Sequence, residues 1–214
     1  NNTSYNTTRR HINVLVNYLY DKDFQVELSR LKTRKQEEVL HRPIKDLKEL
    51  LLRVKAYNEN LYLCCLFTYG CLLRPHQEIR LLKWSNFSED ISHVNLTGSK
   101  VKSKRNRIVP VPSYLREILV QGEPNHNIFS GSKDSFGKGY FSLLWRRFKT
   151  LNPDVGESVT IYSFRHSGAI EIFKRTRSIT KLQKAMGHSS ISVSLTYLRG
   201  LEVPELTEED MPVV

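Results

Sequence analysis

The chain has 214 residues, enough for one full domain or one domain and a fragment, and its hydrophobic fraction of 39% suffices for a core. Against 22 acids stand 33 Lys and Arg, a net charge of +11, which points to a polyanion such as DNA or RNA, or else to a merely basic protein. The most apolar run, LYLCCLFTYGCLL, is too short to span a bilayer and no signal peptide is visible, so a cytoplasmic protein is expected rather than a membrane or secreted one.

In chain order, residues 7–20 read as a helix, with Ile12, Leu15, Val16 and Leu19 at helical spacing behind the polar stretch NNTSYNTT. Residues 21–38 are charged and weakly periodic, as a linker would be. Residues 43–56 are amphipathic, with Ile44, Leu47, Leu50, Leu51 and Val54 on one face. Residues 61–73 are apolar nearly all round and predict a buried helix. Cys64, Cys65 and Cys71 lie there without a Cys-x-x-Cys pair or a histidine cluster, so they read as reduced buried thiols rather than a zinc site or disulfides. Arg74-Pro75 follows directly, and an arginine at that place is either positioned for function or simply exposed at a helix start.

Two strands are predicted, over 93–97 and 107–111. Between them GSKVKSKRN forms a basic hairpin loop, where Lys100, Lys102, Lys104, Arg105 and Arg107 either sit in solvent or meet a polyanion. A short helix over 113–120, a Gly- and Ser-rich loop over 125–137 and a helix over 140–151, with Leu144, Trp145 and Phe148 inward, look like scaffold. A helix over 164–175 begins beside Arg165, with Phe164, Ile170 and Phe173 as core residues. A second short helix carries Ile179, Leu182 and Met186 into Gly187. Ser189 is placed to cap the last helix, on which Ile191, Leu195 and Leu198 share a face, Tyr197 lies off it and Gly200 ends the run.

The chemistry concentrates in residues 160–200. Arg165 offers a fork that matches phosphate oxygens, His188 an imidazole, and Tyr197, nine residues later, a phenol able to act as a covalent nucleophile. Together these are a kit for phosphoryl transfer through a phosphotyrosine. The plain alternative for Tyr197 is a half-buried structural tyrosine. His166 reads as structural. No carboxylate cluster suggests a metal and no Gly-rich loop a nucleotide, so neither metal nor cofactor is expected.

The stretch TIYSFRHSGAIEIFKRTRSITKLQKAMGHSSISVSLTYLRG resembles the C-terminal signature of the tyrosine recombinases (phage-type integrases): His-x-x-Arg-His, then Leu-Gly-His-Ser-Ser, then Tyr. Arg165, His188 and Tyr197 fall on family positions, and Tyr162 stands where the family usually has His. GCLLRPHQEIRLLKW resembles the first arginine motif, Gly-x-Arg-x-x-Glu-x-x-x-Leu-x-Trp. Arg74, Leu82 and Trp84 match it, and Glu78 matches once one extra residue is allowed. The resemblance covers roughly residues 43–200.

It implies a mainly α fold with a small antiparallel β-sheet, and site-specific DNA recombination through a 3′-phosphotyrosine with a free 5′-hydroxyl. By analogy Tyr197 is the nucleophile, and Arg74 and Arg165 neutralise the phosphate. His188 donates to it, and Tyr162 hydrogen-bonds it without serving as base. The family's catalytic lysine lies eight residues before the strand's proline, which selects Lys102, with Lys100 and Lys104 as alternatives. Lys100, Lys104, Arg105 and Arg107 become DNA contacts. Residues 1–20 become the last helix of a truncated core-binding domain, or else a simple N-terminal helix. Residues 21–38 are a linker, 39–200 the catalytic domain and 201–214 an acidic tail that docks on a neighbouring protomer, covers the basic face, or frays. Double-stranded DNA, a dimer or tetramer on paired sites, and bacterial or phage origin follow. A type IB topoisomerase or a non-catalytic DNA-binding relative are the competing readings.

Overall fold

A computed structural model describes residues 2–27, 29–35, 43–97 and 106–198. The chain divides into two compact units, Asn1–Leu40 and His41–Val214. In the described residues the fold is mainly helical with one two-stranded antiparallel sheet, and no helix is long and apolar enough to cross a membrane.

The first unit holds one long helix, α1 (Asn2–Tyr20), with the irregular segment 29–35 lying along it. Asn6 donates to the Arg34 carbonyl at 2.7 Å and accepts from the Arg34 amide at 2.9 Å. The Arg34 guanidinium lies 3.9 Å over the Tyr5 ring. The helix therefore starts earlier than its apolar spacing predicts, since its first polar turns bind the returning chain. None of its residues is buried.

In the second unit α2 (Leu47–Tyr57) begins four residues later than the apolar pattern suggests. Asp46 is the reason: its carboxylate accepts from the Glu49 amide at 2.9 Å and satisfies a donor that a helix start leaves open. The next helix, α3 (Glu59–Gly70), is capped by Asn58 and buries Leu61, Cys64, Cys65, Leu66, Phe67 and Thr68. It is apolar on all sides because other helices surround it: α2, α5 (Tyr140–Leu151) and α6 (Ile161–Thr176). Burial raises all three of its neighbouring thiols, Cys64, Cys65 and Cys71, the last to about 12. Gly168 of α6 meets α3 so closely that a Cβ there would sit 2.1 Å from the Tyr69 carbonyl oxygen and 2.8 Å from Leu72 Cδ2. Only glycine permits that approach.

The apolar run to Leu73 overruns α3, which ends at Gly70, and Leu72 takes a left-handed φ of 50°. That turn sends neighbouring side chains to different places. Leu73 joins the main core, whereas Leu72 joins a second cluster with Ala169, Leu182 and Met186. Arg74 follows at once.

Strands β1 (His93–Leu96) and β2 (Arg107–Pro110) pair antiparallel, with Val94 opposite Val109 and Leu96 opposite Arg107. Val94, Leu96, Arg107 and Val109 are the buried ones. Helix α4 (Ser113–Arg116) is shorter than expected, while α5 buries Phe141, Trp145 and Phe148. Trp145 meets Phe164 of α6 edge-on at 5.8 Å. Helix α7 (Ile179–Met186) is capped by Ser178 and closes at Gly187 with φ 66°. Ser190 rather than Ser189 caps α8 (Ile191–Leu195), its hydroxyl accepting from the Ser192 amide. Ile191 and Leu195 are exposed, at 40% and 49%. The chain then tightens into a 3-10 turn at Thr196–Leu198, which brings Tyr197 and Leu198 onto the second cluster. Gly200 lies outside the described residues.

Candidate active site

The centre of the site is a buried carboxylate. Glu78 is 1% exposed. Its Oε1 accepts from Arg74 Nη1 at 2.6 Å, and its Oε2 accepts from the Arg74 backbone amide at 2.8 Å and from Arg107 Nη2 at 2.9 Å. The extra residue in the Arg74–Glu78 spacing makes the pair i,i+4 and does not part them. Two guanidiniums share this carboxylate, so the cluster keeps excess positive charge.

Arg165, on the second turn of α6, is 1% exposed. Its Nη2 donates to the Met186 carbonyl at 2.7 Å, at the C-terminal end of α7. Its Nη1 is buried without a hydrogen-bond partner among the described residues. Burial first, then neighbouring Arg74, pulls this guanidinium down to about 10, which leaves it cationic at neutral pH. A buried donor of this kind calls for an acceptor, and an anionic oxygen suits it best.

His188 follows Gly187 in the turn after α7. Burial first, then Arg165, Arg74 and Arg107, pulls its imidazole down to about 4, so the ring is neutral at pH 7. Its Nδ1 lies 2.9 Å from Ser194 Oγ on α8. When that hydroxyl donates to Nδ1, the ring proton sits on Nε2 and makes it a donor. Tyr197 is flanked by two imidazoles, its ring centroid 5.4 Å from that of His188 and 5.6 Å from that of His166, which stacks on it at 29°. His166 is buried, and this stack is one of its contacts.

Tyr162, at the start of α6, is half-buried. Burial raises its phenol, while Arg165 and Arg74 act in the opposite sense, so it is neutral at pH 7. The His76 ring lies 6.2 Å from it. Burial and Arg80 lower the His76 imidazole, whose Nε2 lies 3.4 Å from Ser142 Oγ.

The structure thus brings together Arg74, Arg165, Tyr162, His188 and Tyr197. Lys100, Lys102, Lys104 and Arg105 lie outside the described residues. Arg107 is a correction to the reading of a basic, DNA-facing hairpin: its side chain turns inward, is 7% exposed and pairs with Glu78. The alternation of β2 puts it on the same face as buried Val109, a signal present in the sequence but outweighed there by the charge run. Ser194, His76 and the central place of Glu78 also escape sequence reasoning, because each contact depends on a turn geometry that spacing does not specify. Two guanidiniums, a neutral imidazole and two phenols brought together in this way are groups that can bind a phosphodiester and, with a tyrosine as nucleophile, attack it.

The family model described as the Phage integrase family matches residues 33–202. Tyrosine recombinase XerC of Rhizobium meliloti is 27% identical over 150 residues, covering 65% of this chain and 45% of that protein. Tyrosine recombinase XerA of Pyrococcus furiosus is 26% identical over 204 residues, covering 89% of this chain and 70% of that protein. The chain spans about half the length of the curated XerC relatives it matches. Among solved structures, a lambda integrase dimer bound to a COC′ core site superposes with a TM-score of 0.68 at 16% identity, covering 97% of this chain and 77% of that one. The Tn1549 transposon integrase in complex with a circular intermediate DNA gives 0.60 at 17% identity, covering 90% and 73%. At these identities the likeness is one of fold.

Proposed function

Since this chain belongs to the phage integrase family, whose model spans residues 33–202, we propose that it catalyses site-specific recombination of double-stranded DNA through a 3′-phosphotyrosine intermediate. The observation that carries the reading is Tyr197 packed beside His188, whose imidazole Arg165 and Arg74 face.

Tyr197 Oη attacks the scissile phosphorus. A phosphorus–oxygen bond to tyrosine forms as the bond to the 5′-oxygen breaks, and the phenolic proton is lost to solvent or base. Arg74 and Arg165 neutralise the non-bridging oxygens, with the orphan Nη1 of Arg165 as one donor. Removing a preorganised donor of this kind typically costs about 10²–10³ in rate. Neutral His188 adds a hydrogen bond from Nε2. Tyr162 hydrogen-bonds the phosphate without accepting a proton, since a neutral phenol is a poor base. Lys102 protonates the leaving 5′-oxygen, with Lys100 and Lys104 as the alternatives, and Arg105 helps hold the duplex. The bond energy stays in the phosphotyrosine ester. Attack by a 5′-hydroxyl from another strand reverses the step and frees Tyr197. A dimer or tetramer on paired sites supplies that second strand.

The test is covalent trapping on a pool of nicked duplexes with randomised core sequence, where loss of the short nicked fragment prevents religation. A protein–DNA adduct is expected with the wild type and none with Tyr197→Phe. An adduct that persists in the Phe variant assigns the nucleophile elsewhere. Relaxation of plasmids lacking paired sites would favour a topoisomerase instead.

A further inference from the structure

Arg107 stands where three stretches of chain meet. It opens β2, yet its side chain turns inward opposite Leu96. Nη2 donates to Glu78 Oε2 at 2.9 Å, and Nη1 donates to the Ala185 carbonyl near the end of α7 at 3.2 Å. Gly187 packs against the same guanidinium: a Cβ there would sit 2.6 Å from Nη1 and 3.1 Å from Cδ. The other end of the shared carboxylate holds Arg74. Stability alone does not call for a guanidinium here, because replacing buried ion pairs by well-packed apolar residues is often neutral or stabilising. What the guanidinium adds is a rigid fork that grips two partners at once.

We propose that Arg107 is a positioning residue, acting through Glu78 and the Gly187–His188 turn to hold Arg74 and His188 in register without itself touching DNA. This deepens the recombinase reading above and rests on it for the reaction concerned. The groups facing His188 are Arg165 from α6, Arg74 after α3, Arg107 from β2, and Ser194 and Tyr197 from α8 and the turn beyond it.

Arg107→Met and Arg107→Lys test it by three readings, two of which need no cleavage. Proton NMR titration of His188, identified with His188→Gln, should show its midpoint raised in Arg107→Met. The salt dependence of binding to duplex DNA should keep its slope, whereas loss of a phosphate contact lowers it by about one. Single-turnover trapping should slow by about tenfold or more in both variants, because misplacement alone is costly. An unmoved His188 midpoint in Arg107→Met overturns the proposal, as does a slope lowered by about one. So does trapping by Arg107→Lys at the wild-type rate, since lysine keeps the charge but not the two-partner grip. That last comparison serves if the Met variant does not fold. A wild type that traps no DNA sinks the recombinase reading, and the catalytic role with it, while the titration and the slope still report the contact itself.

Discussion

When the Ser194 hydroxyl donates to His188 Nδ1 it holds the ring proton on Nε2, and a lost hydroxyl would let the neutral ring take either tautomer. Ser194→Ala should therefore slow covalent trapping by about tenfold, the low end of what losing the orienting partner of a metal-bound histidine costs. Ser194→Thr, which keeps the hydroxyl, should recover most of it. Equal rates in the wild type and the Ala variant would show that His188 needs no such guide. In the proposed mechanism the Tyr162 phenol gives the phosphate a single hydrogen bond, so Tyr162→Phe should cost modestly, and Tyr162→His should stay active. Complete loss in the Phe variant would give the hydroxyl a larger part. At this scale the sequence was readable wherever spacing within one motif sufficed: Arg165, His188 and Tyr197. It was unreadable where a partner comes from another segment, as His76 does for Tyr162 and Glu78 for Arg107.

Helix bodies followed from periodicity, and helix ends did not. The apolar run through Leu73 has no break at Gly70, because residues after the helix are buried too, only in two different clusters. Likewise α8 stops after five residues, so the stripe of Ile191 and Leu195 that spacing turns inward faces solvent. Two glycines hold elements together more than their composition suggests. Gly168→Ala would force α6 off the Tyr69 carbonyl, and overpacking of this kind costs about 1–3 kcal/mol; the urea midpoint should fall accordingly. Gly187→Ala combines a left-handed φ of 66° with a clash against Arg107. The strain costs on the order of 1 kcal/mol, and trapping should fall by more than the melting temperature alone would explain. A Gly187→Ala variant with lowered stability and unimpaired trapping would separate the turn from the chemistry.

For the whole molecule, burial of His188, and after it the neighbouring Arg165, Arg74 and Arg107, gives folding a pH dependence. His188 titrates at about 4 in the fold, against roughly 6.5 when unfolded. As pH falls through that window, the unfolded chain takes up a proton that the folded site refuses, so stability declines from about pH 6.5 toward pH 4. Above pH 6.5 this group contributes nothing to the trend. His76 acts in the same direction. Denaturant midpoints at pH 7 and pH 4.5 should differ less in His188→Gln than in the wild type; an identical difference would mean the ring is protonated in the fold. The fold class came from the family resemblance, and the helical periodicities and the alternating strand pair agree with it. The division at Leu40 and His41 was approachable only as a change in charge and periodicity. Burial of Cys64, Cys65 and Cys71 around α3 has a practical side. A maleimide dye should find none of these three thiols in the folded chain, so one cysteine added on the surface would carry a single fluorophore without any change to the core, and the proposed strand exchange could be looked for one molecule at a time.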